Sequence, residues 1–262
     1  MHRLSPFLLI WIALLSPGSF AATGASDSTA IVEDVKDGDT LTLDHRISGA
    51  NEVRLVGIQA PKLGRPNRNM PAWPLAEDAK RALAELSIGK HVRLVVGARG
   101  TDRHGRLLAH VFRQDGGWLQ GEMLRQGMAR VYTFPDNRAR AQEMLALERE
   151  ARAAGTGIWA HPFYAVRSAS DVASLADGFQ LVEGRVLRAA SVSGRVFLNF
   201  GPDWKTDFTV AVQREFVPLF AEAGLDLNGL SGRRVRVRGW VSWANGPMIA
   251  VDHPERIEAL GD

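Results

Sequence analysis

The 262-residue sequence has no cysteine. That excludes disulfide frameworks, disulfide-linked partners, thiolate metal sites and cysteine nucleophiles, and leaves oxygen or imidazole ligands for any metal. Lysine is scarce, five residues against 27 arginines, although the formal charge is only +3. A planar guanidinium suits phosphate better than a lysine point charge does, but such a skew also follows from genome composition alone. With 45% hydrophobic residues, 12 Pro and 26 Gly, collagen-like and disordered classes are excluded and a folded core is expected. The longest early apolar run, Phe7 to Leu15, is far short of the ~20 residues that cross a bilayer, and no later run is long enough.

That first run follows His2 and Arg3 and precedes Pro17, Gly18 and Ser19-Phe20-Ala21-Ala22. The pattern reads as a signal peptide over residues 1–21, cleaved near Ala21 or Ala22, and predicts a soluble mature protein exported to the periplasm or secreted. A Ser- and Ala-rich stretch at 165–177 reads as a linker between a domain over 30–164 and a second over 178–262. Residues 22–165 hold 20 basic and 17 acidic side chains, whereas 178–262 hold ten of each, so the basic excess belongs to the first domain.

In the first domain the pattern predicts strands at Ala30 to Val35, Thr40 to Asp44, Val53 to Ile58, His91 to Val96 and Arg106 to Phe112. Helices are expected over Ala76 to Leu86, where Gly89 follows as a stop, over Leu119 to Arg125, and over Arg138 to Ala154, with Met144, Leu147, Ala151 and Ala154 on one stripe. Five short strands with packing helices predict a mainly β (α+β) domain built as a small barrel of the OB type.

Three motifs carry chemistry, and each alone has a plain structural explanation. Asp37-Gly38-Asp39-Thr40 makes a turn, or offers oxygens to a hard cation. Arg54 interrupts an apolar strand, which a solvated strand face explains. Thr101-Asp102-Arg103-His104-Gly105-Arg106 is a tight turn, with Asp102 accounted for by capping it.

Together and in order, DGDT, the Arg54 strand with its x-x-Pro loop, D-R-H-G-R-x-L-A, L-R-Q-G-M-A-R-V, a long charged helix and Gly-Ile-Trp resemble the thermonuclease family over about Ala30 to Trp159. The resemblance implies a barrel of the staphylococcal-nuclease type, DNA or RNA as partner, and a divalent cation, Ca²⁺, as cofactor. It implies Asp39 as a metal ligand and Arg54 and Arg106 as ligands of the scissile phosphate and its developing charge. Arg103, His104 and Tyr132 would face the nucleotide, where a flat ring or guanidinium stacks on any base.

The sequence departs from the family where the metal-binding Asp and the catalytic Glu usually stand. It reads Ile58-Gln59-Ala60-Pro61-Lys62. Gln59 can still offer a neutral carbonyl oxygen to a metal. Lys62 cannot act as a carboxylate base, and losing one costs a factor of ~10² to 10⁴. Asp37 or Asp34 could supply a carboxylate, or Lys62 itself could contact phosphate in place of the metal's charge. The leading expectation is an exported phosphodiesterase with a weakened metal site. The alternatives are a catalytically impaired nucleic-acid-binding protein and a periplasmic protein-interaction scaffold.

The second domain predicts strands at Leu181 to Ala190, Arg195 to Phe200, Phe208 to Val212, Arg234 to Trp243 and Met248 to Val251, with a helix over Glu215 to Ala223. This is again OB order, a second and smaller OB-like β-barrel. Strand alternation puts Arg234, Arg236 and Arg238 with Trp240 on one face, either a basic stripe or, slightly favoured because the domain is neutral, a solvated face. Trp204 and Trp243 are expected in the core or at its rim. His161 and His253 lack ligand spacing.

Overall fold

The computed structural model describes residues 28–172 and 178–261. The signal-peptide segment and residues 173–177 of the expected linker lie outside these. The fold is α+β. In chain order the first part comprises β1 (Ser28–Asp37), β2 (Thr40–Ile47), β3 (Ala50–Leu55), β4 (Ile58–Gln59), α1 (Ala76–Ser87), β5 (His91–Thr101), β6 (Leu107–Arg113), α2 (Leu119–Arg125), β7 (Arg130–Val131) and α3 (Ala141–Ala153). Strands β1, β2, β3, β6 and β5 close into a barrel in that order; β3 runs parallel to β6 and the remaining pairs are antiparallel.

Alternation drives closure. In β5, His91 and Arg93 face out while Val92 and Leu94 are buried, and Val53, Leu55, Leu107, Ala109 and Val111 join them inside. Each Val or Leu side chain so buried contributes ~1.5–3 kcal/mol. Helix α2 sends Gln120, fully buried, to the barrel backbone: its Oε1 accepts from Val111 N–H (3.1 Å) and its Nε2 donates to the Ala109 carbonyl (2.8 Å). A polar group is therefore satisfied where the helix meets the sheet.

Two predicted boundaries shift for backbone reasons. The strand expected over Val53 to Ile58 breaks because Gly57 takes φ +83°, and β4 then pairs with β7 instead of the barrel. Helix α3 starts at Ala141, not Arg138, because Arg140 sits in the left-handed region at φ 59°.

The second part comprises β8 (Arg167–Ser168), β9 (Gly178–Arg185), β10 (Arg188–Val192), β11 (Arg195–Asn199), β12 (Thr209–Val212), α4 (Val217–Glu222), β13 (Arg234–Trp243), β14 (Pro247–Val251) and β15 (Ile257–Ala259). The order is β10-β11-β12-β14-β13-β9-β8, with β15 also on β13. Only Val186 and Leu187 separate β9 from β10, so one bent strand curls the sheet around a core of Val196, Leu198, Val210, Phe220, Val237 and Ile249. The stretch expected as linker is partly built into this sheet: Arg167–Ser168 pairs with β9, and Val172 is fully buried. Among the described residues no helix is long and apolar enough to cross a membrane.

The two sheets share a seam of buried charge. Arg238, 1% exposed, donates to both oxygens of Glu148 in α3 (2.9 and 3.0 Å) and to Glu258 (2.6 Å). Arg138 forms a two-pronged bond to Glu255, and the Thr133 hydroxyl meets His253 Nε2 at 2.7 Å. Neither reading of the β13 arginines stands. Arg236 pairs with Glu183 and Arg238 is interred, so they are neither a nucleic-acid stripe nor a solvated face. Trp204 and Trp243, expected in the core or at its rim, are each 55% exposed.

Candidate functional site

The site begins at the β1–β2 turn. Gly38 is required there by space: a Cβ would lie 2.6 Å from the Ala60 Cβ and 2.8 Å from the Ala79 Cβ of α1. This close approach presses the turn against the loop after β4. Asp39, fully buried, then accepts from Ala60 N–H at 2.8 Å.

Lys62 completes the arrangement. Its Nζ lies 2.8 Å from Asp39 Oδ1 and 2.7 Å from Oδ2, bridging both oxygens, and 3.5 Å from Asp37. Arg54 Nη2 adds a contact at 3.1 Å to Asp39. Burial alone would push the Asp39 carboxyl up, but Arg54 and Lys62 outweigh it and hold the group at about 2. Asp37 goes the other way: burial, then the neighbouring Asp39 charge, raise it above the usual carboxylate range, and Lys62 only partly offsets them.

The two arginines sit on either side of Thr40. Arg54 lies opposite Thr40 in the β2–β3 register, and its guanidinium is fixed by bonds to the carbonyls of Leu55 and Ile58. Arg106 Nη1 reaches the Thr40 hydroxyl at 3.3 Å, while its Nε and Nη2 chelate Asp102 at 2.8 and 2.7 Å. Asp102 thus caps its turn through His104 N–H and also aims Arg106, a role that capping alone had concealed. Arg54, Arg106, Lys62 and Asp39 are brought together as one cluster.

Gln59 is not brought into it. Its Oε1 accepts from Arg130 Nε (3.0 Å) and Nη2 (2.7 Å), and Arg130 goes on to donate to the Phe179 carbonyl of the second sheet. Arg103 and His104 are exposed on the turn before β6, bonded to each other at 3.2 Å. Tyr132 stands at the seam, packed on Phe134 and Phe179 with its hydroxyl accepting from Trp240 Nε1 at 3.1 Å. The functional residues that sequence reasoning missed are Thr40, which accepts from Arg106 opposite Arg54, and Arg130, which holds Gln59. Both lie inside the DGDT and A-R-V motifs and carried no separate signal.

These residues do not fit the divalent cation that the fold implies. Among the described residues no group of three His, Cys, Asp or Glu side chains converges. Both Asp39 oxygens are occupied by an ammonium, and the Gln59 carbonyl is committed to Arg130. A hard cation needs several convergent oxygens, and this cluster offers it a positive charge instead.

Residues 52–161 match the model of the staphylococcal nuclease homologue family. The match begins after the DGDT turn, on β3. Among curated proteins the chain is 30% identical over 135 residues to Endonuclease YhcR of Bacillus subtilis, 49% of this chain and 11% of that protein. It is 36% identical over 124 residues to Protein ParB of Escherichia coli, 42% of this chain and 60% of that one. It is 33% identical over 108 residues to Probable staphylococcal-like nuclease CAN1 of Oryza sativa subsp. japonica, 41% of this chain and 28% of that protein. The chain therefore spans between about a tenth and three fifths of the length of these relatives.

Proposed function

With residues 52–161 a staphylococcal-nuclease-like domain, we propose that this barrel binds the phosphodiester backbone of nucleic acid at the Lys62–Arg54–Arg106 cluster and hydrolyses it with no resident metal ion. The observation that carries the reading is Lys62 bridging both oxygens of Asp39. The ammonium stands where a cation would be held and supplies fixed positive charge, 30% exposed at its side chain. Relatives named as nucleases support nucleic acid as the substrate class. The signal-like segment over residues 1–21 supports action outside the cytoplasm.

In this mechanism water attacks phosphorus in line, the bond to the leaving oxygen breaks, and solvent protonates that oxygen. Negative charge accumulates on the non-bridging oxygens and is met by Lys62, Arg54 and Arg106. Donors already fixed by Leu55, Ile58 and Asp102 need no reorganisation at that moment. Each guanidinium has five N–H groups, so some stay available for phosphate. Asp37, whose proton affinity is raised and which neighbours Lys62, takes the proton from water.

A second reading, binding without cleavage, is favoured by one observation: the cluster balances Arg54, Lys62 and Arg106 against Asp37, Asp39 and Asp102, so phosphate must compete with carboxylates already in place. Incubation of labelled single- and double-stranded DNA and RNA with purified protein, in EDTA and in Ca²⁺, tests both. Cleavage in EDTA that disappears in Arg54→Ala/Arg106→Ala supports the hydrolase. Salt-sensitive binding without products establishes the second reading.

A further inference from the structure

The outer face of β10–β12, far along the sheet from the seam, departs from the usual rule that a solvated strand face is polar. Its outward positions are Arg188, Ala190 and Val192 on β10, Arg195, Phe197 and Asn199 on β11, and Ala211 on β12. The inward positions Val196, Leu198, Val210 and Val212 fill the core. Register sets Phe197 between Ala190 and Ala211, so small side chains flank its ring on both neighbouring strands. Trp204, 55% exposed, rises over the same face from the loop between β11 and β12. Together they enclose a groove of about 550 Å³.

Charge distinguishes this groove from a plain apolar patch. No acidic side chain lines it. Arg195 lies over the Phe197 ring at 5.8 Å and Lys205 over the Trp204 ring at 5.8 Å. Among the described residues neither Arg188 nor Arg195 meets a carboxylate, whereas Arg236, Arg238 and Arg256 of the same domain are all ion-paired. The carboxylates on the Trp204 loop, Asp203 and Asp207, turn back into that loop: Asp207 accepts from Asp203 N–H at 2.7 Å and Asp203 from Lys205 N–H at 3.0 Å. Neither Phe197 nor Trp204 stacks on another aromatic ring among the described residues.

We propose that this face is a second binding site, for single-stranded nucleic acid, in which bases stack on Phe197 and Trp204 while Arg188 and Arg195 hold the phosphates. Aromatic platforms interleaved with unpaired cations are what sequence-tolerant single-strand recognition uses, because every base offers a π-face and every linkage a charge. A duplex hides its base faces and cannot use the two rings. The amides of Asn199 and Asn245 at the margins can meet base edges without demanding one base. The site does not depend on the barrel cluster and stands whether or not that cluster cleaves.

The test uses the full chain carrying Arg54→Ala/Arg106→Ala, so that the barrel site neither cuts nor contributes its arginines. The probe is a fluorescein-labelled oligothymidylate of about a dozen nucleotides, read by anisotropy across a salt series. Trp204→Ala and Phe197→Ala should each weaken binding about tenfold, within the range for loss of one base stack. Arg188→Gln/Arg195→Gln should lower the slope of log K against log salt by about 1.4, at about 0.7 per single-strand phosphate contact. An unlabelled duplex of the same length should compete far less well than the single strand. Unchanged affinity and slope in folded variants would overturn the proposal, as would equal competition by duplex or loss of binding to an unlabelled peptide competitor alone.

Discussion

Replacing Arg238 with Met removes a cation that lies within hydrogen-bond distance of both Glu148 (2.9 Å) and Glu258 (2.6 Å); Arg152 also meets both, but stands 3.9 Å from Glu258. The guanidinium is 1% exposed and Glu148 fully buried, so the change leaves two carboxylates in a dry environment. Glu148 keeps Arg152 at 2.8 Å and Val131 N–H at 2.6 Å; Glu258 keeps only more distant contacts of 3.5–3.9 Å. Breaking one partner out of a buried cluster costs ~3–5 kcal/mol, and the surviving Arg152 contact places the expectation at the lower end, about 3 kcal/mol. Urea unfolding followed by far-UV circular dichroism measures it. The same reasoning requires that removing the opposing charges as well, in Arg238→Met/Glu148→Gln/Glu258→Gln, recover most of that loss, because the penalty lies in unpaired burial and not in the absence of attraction. A single variant costing under 1 kcal/mol, or a triple variant no better than the single, would refute it.

Acid should weaken the barrel through Asp39. Its folded pKa of about 2 lies below the ordinary 3.8, so its stabilisation is complete above about 4 and is lost as pH falls through 2, about 2 kcal/mol in all. Asp39→Asn should flatten that part of the stability profile, and an unaltered profile would contradict the assignment. Asp37, with a raised pKa, has the opposite sign. Its protonation on mild acidification relieves repulsion with Asp39, so oligonucleotide affinity should rise as pH falls while any cleavage rate falls, a divergence read from binding and single-turnover assays side by side. Gly38→Ala forces a Cβ against Ala60 and Ala79 and should cost ~1–3 kcal/mol as overpacking, measured as a lowered urea midpoint with unchanged slope.

Much of the barrel was legible because its signals are local. Ala79, Ala82 and Leu83 repeat at helical spacing and α1 follows them; Leu119 to Arg125 is α2 as read. DGDT makes the turn that presents Asp39, and the structure sets Arg54 and Arg106 beside Thr40, a neighbour the motifs did not single out. What stayed hidden depends on packing between distant segments. Alternation in β13 correctly placed Arg234, Arg236 and Arg238 on one face, but it says nothing about which element covers that face. A signal did exist: Glu148 falls four residues after Met144 and four before Arg152, a carboxylate on the buried stripe of α3, and such a charge requires a partner. Gln59 likewise reads as a ligand by position. Only the pairing of β4 with β7 turns it toward Arg130.

On the proposed reading, Lys62 does the electrostatic work of a cation at the barrel site. Affinity of a labelled oligonucleotide measured in EDTA and in Ca²⁺ tests it most directly, for the protein carrying Arg188→Gln/Arg195→Gln and for the same chain with Lys62→Met added. Affinity should be equal in both buffers before Lys62 is changed and should fall about tenfold or more afterwards, the size of one charge-assisted bond. Binding that strengthens with Ca²⁺ and survives Lys62→Met would contradict it.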